Sequence, residues 1–467
     1  MVRCRKSIII FIIFAVLWTS AKIIGITYLV EPSIYEFYKD IEITEEDRIL
    51  ILAPHPDDEA ICTSGIIQKA IDQKASVKVV FLTSGDHNQL PFLLYMRNPL
   101  TLKKTHILLG ETRMQESIKA NQILGLSKDD LIFLGYPDFG TLNIMLSYWD
   151  TEKPFRNILN REVKVPYEAS FTTGSPYTGE NILADIKKII LDFNPTKIFV
   201  SSPFDANNDH RALFLFLQIA IWDLEDLIGD PEVFTYLVHA KGWPKVKGYR
   251  PSKKITHPDF LDGSEMDWYK IELVDEEIQK KYQAISSYRS QISYNPSFLV
   301  SFAREDEIFG RLSEINLEES NDEEINWYES DVFRDGASLL ENVGFKDIFY
   351  SIKNGSLLIK VIFKDTEAKS VSGSVYLLGY DKDKNFAKMP KIHIKIGVRS
   401  FRVLDKRDQI KESGIEIFYE GSELIIEVPL IVLGKPSNIL ASIETKEPVI
   451  DSYPHDKFLW RVINMKN

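Results

Sequence analysis

Over the first two thirds of the chain, short apolar runs alternate with longer stretches of helical spacing. Ile49-Leu50-Ile51-Leu52 is a continuous apolar run that stops at Pro54, the pattern of a strand buried on both faces. Ile61 to Lys74 predicts a helix and Val77 to Leu82 a second strand; Glu111 to Leu124 predicts a helix and Leu131 to Leu134 a third strand. Ile182, Ile186, Ile189, Ile190 and Phe193 recur at helical spacing, and a strand from Ile198 to Val200 follows. Ala212 to Trp222 is apolar all round but too short to cross a bilayer, which predicts a buried helix, and Val233 to Val238 reads as a further strand. This alternation predicts an α/β fold, a Rossmann-like, mostly parallel sheet with helices on both faces. The stretch from Asp138 to Thr178 breaks the pattern with several Pro and Gly residues, and a loop of that length inside a compact domain points to function.

The period changes near Asn316. Glu318-Glu319-Ser320-Asn321-Asp322-Glu323-Glu324 reads as an acidic linker, and beyond it the apolar positions alternate as in strands. Ile348 to Lys353 and Leu357 to Phe363 flank Asn354-Gly355, a strong hairpin signal. Ile392, Ile394, Ile396 and Val398 alternate strictly, and Ile415 to Tyr419 pairs with Leu424 to Leu430 around Gly421. Regularly spaced short strands predict an all-β sandwich. The expected organisation is therefore an α/β domain over 45–315, a linker over 316–330 and a sandwich over 331–467. Analogy of fold points the sandwich towards carbohydrate binding or placement at a cell surface.

The N-terminus has its own pattern. Arg3, Arg5 and Lys6 precede an apolar run from Ile8 to Trp18, Thr19-Ser20-Ala21 offers small residues for cleavage, and apolar sequence resumes to Val30. Residues 1–30 thus read either as a cleaved signal peptide or as a membrane anchor, with the body of the chain exported and membrane contact confined to this segment. The two cysteines, Cys4 and Cys62, lie too far apart in role to suggest a disulfide framework. A net charge of −12 over 467 residues argues against nucleic-acid binding, because such a chain repels a phosphate backbone.

Candidate chemistry sits where the first strand ends. Ala53-Pro54-His55-Pro56-Asp57-Asp58-Glu59 follows that strand directly, and doubly wound sheets bind ligands beyond the carboxyl ends of their strands. His55 and Asp58 offer a nitrogen and an oxygen suited to zinc, and a catalytic zinc needs a third protein ligand and an open position. His210, in Asp209-His210 after the strand Ile198 to Val200, supplies a candidate on the same rim. Asp57 is placed to act as general base towards a water activated by the metal. Aspartates at a helix start can also be caps, a reading that ranks behind the functional one. A dinucleotide site fails, since no glycine occurs between Arg48 and Ile61.

These residues resemble the PIG-L (LmbE-like) zinc deacetylases, a family that includes the deacetylase of N-acetylglucosaminyl-phosphatidylinositol and bacterial enzymes of thiol–sugar biosynthesis. The resemblance implies His55, Asp58 and His210 as zinc ligands and Asp57 as general base. Thr83-Ser84-Gly85-Asp86, Arg113 with Glu116, Leu134 to Asp138, Val238-His239 through Trp243-Pro244, and Lys281 to Gln291 are also similar. Family members often carry a second histidine three residues before the third ligand; here that position is Asn207, which can donate a hydrogen bond but cannot act as an acid. The proton donor is then open between His239 and Asp205.

Arg113 is a candidate for a substrate hydroxyl or phosphate, or else a helix-surface ion pair with Glu116 or Glu111. Asp138 is a candidate for a sugar hydroxyl, or else a turn former. His87, His106 and His257 show no partner pattern and read as loop or surface residues. The resemblance implies a metal-dependent hydrolase of non-peptide carbon–nitrogen bonds, releasing acetate from an N-acetylglucosamine-type glycoside. A catalytically impaired glycan-binding protein and an amidase acting on another N-acyl sugar conjugate are the alternatives.

Overall fold

A computed structural model describes residues 38–87, 102–150, 152–262, 266–293, 295–320, 325–330, 344–364, 367–398, 400–446 and 460–466. The chain divides into Met1–Lys39 and Asp40–Asn467. The apolar run from Ile8 to Val30, expected as a signal or anchor, lies outside the described residues. Among the described residues no helix is long and apolar enough to cross a membrane.

The α/β part is built on an eight-stranded sheet, seven of whose strands lie wholly within Asp40–Asn467. They are β1 (Arg48–Ala53), β2 (Ser76–Thr83), β3 (Leu131–Tyr136), β4 (Lys197–Ser201), β5 (Glu232–Tyr236), β6 (Met266–Glu272) and β7 (Asp306–Leu312). Their order is β6-β7-β5-β4-β1-β2-β3. The strands read from continuous apolar runs, β1 to β5, pair in parallel. β7 joins β5 antiparallel and β6 joins β7 antiparallel, so the sheet is mixed. The expectation of a mostly parallel sheet omits these two strands. β6 carries a polar-interrupted sequence, MDWYKIE, and β7 carries charges at both ends, so neither shows a long apolar run.

β1 lies between β2 and β4, where the chain reverses its direction of travel across the sheet. The segments leaving β1 and β4 therefore meet at one rim, which is where such sheets bind ligands.

Helices follow the apolar periodicity with one break. The expected helix from Ile61 to Lys74 is two helices, α1 (Asp58–Cys62) and α2 (Ser64–Asp72), separated at Thr63. The hydroxyls of Thr63 and Ser64 donate back to the carbonyls of Glu59 and Ala60 at 2.8 and 2.6 Å, a competition with the helix ladder that bends it. The carboxylate of Glu307 then accepts the freed Gly65 N–H at 2.8 Å. The remaining helices are α3 (Leu102–Leu124), α4 (Thr141–Ser147), α5 (Gly179–Phe193), α6 (Asn208–Leu224), α7 (Asp275–Ser287), α8 (Arg289–Ile292) and α9 (Pro296–Leu299). α4 falls inside the stretch expected to be irregular, whose other described residues are loop and turn with one isolated bridge between Lys164 and Pro176.

The C-terminal part forms two sheets around one apolar core. Its strands are β8 (Ile315–Glu318), β9 (Tyr328–Glu329), β10 (Gly344–Lys353), β11 (Ser356–Lys364), β12 (Ser372–Tyr380), β13 (Lys391–Ile396), β14 (Phe401–Asp405), β15 (Asp408–Ile410), β16 (Glu416–Glu420), β17 (Glu423–Pro429), β18 (Asn438–Lys446) and β19 (Trp460–Lys466). The orders are β9-β10-β11-β17-β16 and β15-β14-β13-β12-β18-β19-β8. Asn354 and Gly355 turn between β10 and β11 with φ of 50° and 71°, the two left-handed positions of the hairpin that their sequence predicts. Two pieces of the stretch expected as a linker are strands: β8 pairs in parallel with β19, and β9 pairs with β10. Ile315 and Leu317 bury their side chains in the sandwich core while Asn316 and Glu318 point away, a two-residue period overshadowed by the acidic residues that follow. Phe204, Leu261 and Met266 of the α/β part pack into the same cluster.

Candidate metal centre

The segment leaving β1 is held in an unusual shape. Asp57 has φ 130° and ψ −26°, a conformation rarely adopted by a residue with a Cβ. Such strain persists only where the surroundings over-determine it. Here Glu59 accepts the Asp57 N–H at 3.2 Å, and Asn121 and Tyr288 hold the Glu59 carboxylate in turn. Arg113, from α3, donates to the carbonyls of Pro56 at 2.5 Å and Gly85 at 2.9 Å, and its guanidinium lies 3.2 Å from Asp57 Oδ2. Arg113 is buried, so the surface ion pair with Glu111 or Glu116 is not formed. Glu116 instead accepts the backbone and hydroxyl of Ser290 at the start of α8.

Three side chains converge beside this segment. His55 Nδ1 lies 3.2 Å from Asp58 Oδ2, His210 Nε2 lies 3.2 Å from the same oxygen, and the two ring nitrogens are 3.3 Å apart. Ligand atoms about 2.0–2.1 Å from a tetrahedral zinc stand roughly 3.3–3.4 Å from each other. The three atoms therefore fit one triangular face of such a tetrahedron. The donor set, two imidazoles and a carboxylate, is that of a catalytic rather than a structural zinc site.

The outer nitrogens of both imidazoles face carboxylates. His55 Nε2 is 3.2 Å from Asp138 Oδ1 and 3.4 Å from Asp209 Oδ2, and His210 Nδ1 is 3.3 Å from Asp205 Oδ2. Carboxylates in this position fix the ring tautomer and turn the inner nitrogen towards a metal. Asp205, His210 and His239 also cluster, as do His55, Asp138 and Asp209. Those two sets pair ring nitrogens with the facing carboxylates, whereas in the triad one Asp58 oxygen lies 3.2 Å from a nitrogen of each of His55 and His210.

Charge supports the same reading. Asp57, Asp58, Asp138, Asp205 and Asp209 are all buried around two imidazoles and Arg113, an excess of negative charge that favours a cation. Burial works against charge on His55, yet Asp138, Asp209 and Asp58 raise its pKa well above the usual range. Burial likewise opposes charge on His210, and Asp205 and Asp58 outweigh it to give about 9. Asp58, Asp138 and Asp205 are each pushed up by burial but held low by the facing histidines. Asp57 goes the other way: burial raises it to about 6 against the pull of Arg113.

A pocket of 490 Å³ opens over the triad, lined by Asp57, Arg113, Asp138, Asn207 and His239 among others. All of the residues singled out from sequence thus come together. Their settings refine the expected parts. Asp138 is committed to His55 and to the His87 N–H at 2.9 Å. Asn207 caps α6, its side-chain oxygen accepting the Asp209 N–H at 2.8 Å, so only its amide NH₂ can serve as a donor into the pocket. His239 is half-exposed with Nδ1 held by Asp205 at 3.1 Å.

Asp209 was not singled out for its own part, and Asp205, a candidate proton donor from sequence, is instead a carboxylate that burial pushes up but the facing histidines His210 and His239 hold low. Asp209 accepts the N–H groups of Phe139 and Thr141 at 2.6 and 3.1 Å, pinning the start of α4 to α6. Asp205 joins His210 to His239 and also accepts the Val238 N–H at 2.9 Å. His87 lines the pocket and packs on Phe139, with ring centroids 4.7 Å apart. Of the histidines expected in loops or at the surface, His106 lies instead on α3, buried, with Nδ1 2.6 Å from Asp86 O, and His257 lies in a loop but is buried and stacks on Trp268.

Residues 50–221 match the family model described as PIG-L, GlcNAc-PI de-N-acetylase. No curated protein matches the chain. Among solved structures, it is similar to the N,N'-diacetylchitobiose deacetylase from Pyrococcus horikoshii, with 19% identity, 56% of this chain and 82% of that chain covered, and a TM-score of 0.34. It is also similar to the zinc-inhibited form of teicoplanin deacetylase Orf2, with 16% identity, 55% and 90% covered, and a TM-score of 0.33. GalB, the 4-carboxy-2-hydroxymuconate hydratase from Pseudomonas putida KT2440, stands at 16% identity, 56% and 83% covered, and a TM-score of 0.33.

Proposed function

We propose that this chain, which carries a PIG-L family domain at residues 50–221, hydrolyses the acetamide of an N-acetylated amino sugar at a zinc site formed by His55, Asp58 and His210. The convergence of His55 Nδ1, Asp58 Oδ2 and His210 Nε2 within 3.3 Å of one another carries this reading. When bound, zinc supplies a Lewis acid that polarises the amide carbonyl and lowers the pKa of a water.

The chain's own residues do the rest. Asp57 takes the proton from the attacking water, with a pKa of about 6 that suits a base working near neutrality. Arg113 fixes the Pro56 carbonyl and faces the Asp57 carboxylate, which keeps the base in its strained position. The Asn207 amide donates to the carbonyl oxygen as charge develops there. His239, with Nδ1 held by Asp205, presents its other nitrogen as the donor of a proton to the departing amine. The products are acetate and the free amino sugar.

The test is to purify residues 40–467, measure bound metal, and assay N-acetylglucosamine glycosides for acetate. One zinc per chain with acetate release is the expected result. Absence of bound metal, or release of a larger acyl acid in place of acetate, would overturn this assignment.

A further inference from the structure

A second polar cavity lies away from the triad. It measures 370 Å³ and opens between α4 and the sandwich strands β13 and β14. Lys391, Lys395, Lys406 and Arg407 line it, and among the described residues none of the four forms an ion pair with a carboxylate. This grouping of cations is unusual in a chain of net charge −12.

Three of the four are held in place by something other than an acid, and Lys395 is exposed at the rim. The Lys391 ammonium is buried, donates to the carbonyls of Phe386 and Met389, and lies 3.8 Å from the Phe386 ring centroid. Lys406 Nζ donates to the Ala387 carbonyl at 3.0 Å, and the Arg407 guanidinium sits 4.3 Å over the Tyr148 ring. The carboxylate of Asp405 is taken up by the Lys391 backbone N–H at 2.8 Å. Burial, and then repulsion from Lys406, push the Lys391 pKa well below the usual lysine range. Positive charge is concentrated here with Asp405 as a partial counter-charge, and a bound anion would relieve the remainder.

The rest of the lining says what kind of anion fits. Tyr376 and His393 stack with ring centroids 4.2 Å apart and form part of the wall, and Asn143 and Ser147 add polar groups from α4. A half-open cleft of this size with an aromatic wall suits a sugar unit rather than a flat polyanionic surface. α4 also connects the cleft to the metal site: Thr141 at its start binds Asp209, and Ser147 at its end lines the cleft. Its seven residues span about 10 Å.

We propose that this cleft binds an acidic glycan, Lys395, Lys406 and Arg407 receiving carboxylate or phosphate groups carried on the sugar chain and Tyr376 with His393 walling the sugar ring. The sugar half of this assignment rests on the deacetylase reading, whereas the anion half does not.

The experiment is calorimetry on the metal-loaded chain with an oligogalacturonate, with cellotetraose as a neutral chain and with inorganic phosphate. Each ligand is compared on wild type and on the double variant Lys395→Ala/Arg407→Ala. The oligogalacturonate should bind, lose affinity as salt rises, and bind the double variant about tenfold or more weakly. Melting temperature and acetate release from a small neutral N-acetyl glycoside should stay unchanged. No binding, equal binding by the double variant, or equal binding of cellotetraose would sink the proposal. Phosphate binding as tightly as the oligosaccharide would overturn the glycan assignment. Loss of acetate release with acidic-chain binding intact would reject the deacetylase reading and leave the cleft standing.

Discussion

Asp205 Oδ1 stands 3.1 Å from His239 Nδ1, while its other oxygen lies 3.3 Å from the outer nitrogen of His210. One buried carboxylate thus orients a candidate metal ligand and a candidate acid together. The two variants should separate. His239→Ala should retain metal and lose roughly 10²-fold in kcat, the low end for a lost acid catalyst. Asp205→Asn should lose both, with metal affinity down about 10- to 100-fold. Metal analysis beside kcat decides: metal loss in His239→Ala would make that residue a ligand.

Asp57→Asn should bind metal as wild type does and fall in kcat by roughly 10²- to 10⁴-fold, because the ligand atoms lie on its neighbours His55 and Asp58. Arg113→Lys should also lower kcat, by a smaller factor. A lysine cannot serve the Pro56 carbonyl, the Gly85 carbonyl and the Asp57 carboxylate from one planar fork. An Arg113→Lys enzyme with unchanged kcat but a raised KM would instead make Arg113 a substrate contact.

Asp209→Ala addresses the link between α4 and α6. The change strands the N–H groups of Phe139 and Thr141 and removes a carboxylate facing His55. Stability should drop by about 1–3 kcal/mol and metal affinity by about tenfold or more. Denaturant melts in the presence of excess zinc and of chelator would resolve the two effects.

The central residues were legible because two local signals coincided. The His-Pro-Asp-Asp segment follows an uninterrupted apolar strand, and His210 follows another, so topology alone brings them to one rim. Asp205 and Asp209 were harder, because a lone aspartate before or at a helix start is ordinarily a cap. Their contacts with His210, His239 and α4 exist only once the loop after β4 has folded back. Arg113 sits on a helix whose register against the loop no periodicity encodes. The antiparallel strands β6 and β7 were missed for a related reason: charged residues, among them the buried Asp306 and Glu307, interrupt their apolar runs. The hairpins of the sandwich, by contrast, were set by turn chemistry at Asn354-Gly355 and Gly421.

Asp306 gives a pH-dependent prediction away from the metal centre. One of its carboxylate oxygens accepts the Ile255 N–H at 2.8 Å and the other is buried without a partner. Burial raises its pKa to about 7, opposed by the Ile255 hydrogen bond and assisted by the charge of Glu307. The unfolded chain releases this proton near 3.8, whereas the folded chain holds it to about 7. Below 3.8 both states are protonated and the stabilising contribution is complete. Between the two values only the unfolded state gains charge, so rising pH favours unfolding until the folded pKa is passed. Asp306→Asn keeps the acceptor for Ile255 and cannot ionise. Between pH 5 and pH 8 the wild-type melting temperature should therefore fall by a few degrees more than that of Asp306→Asn. Parallel pH profiles of the two proteins would show Asp306 to be ionised in the folded chain throughout.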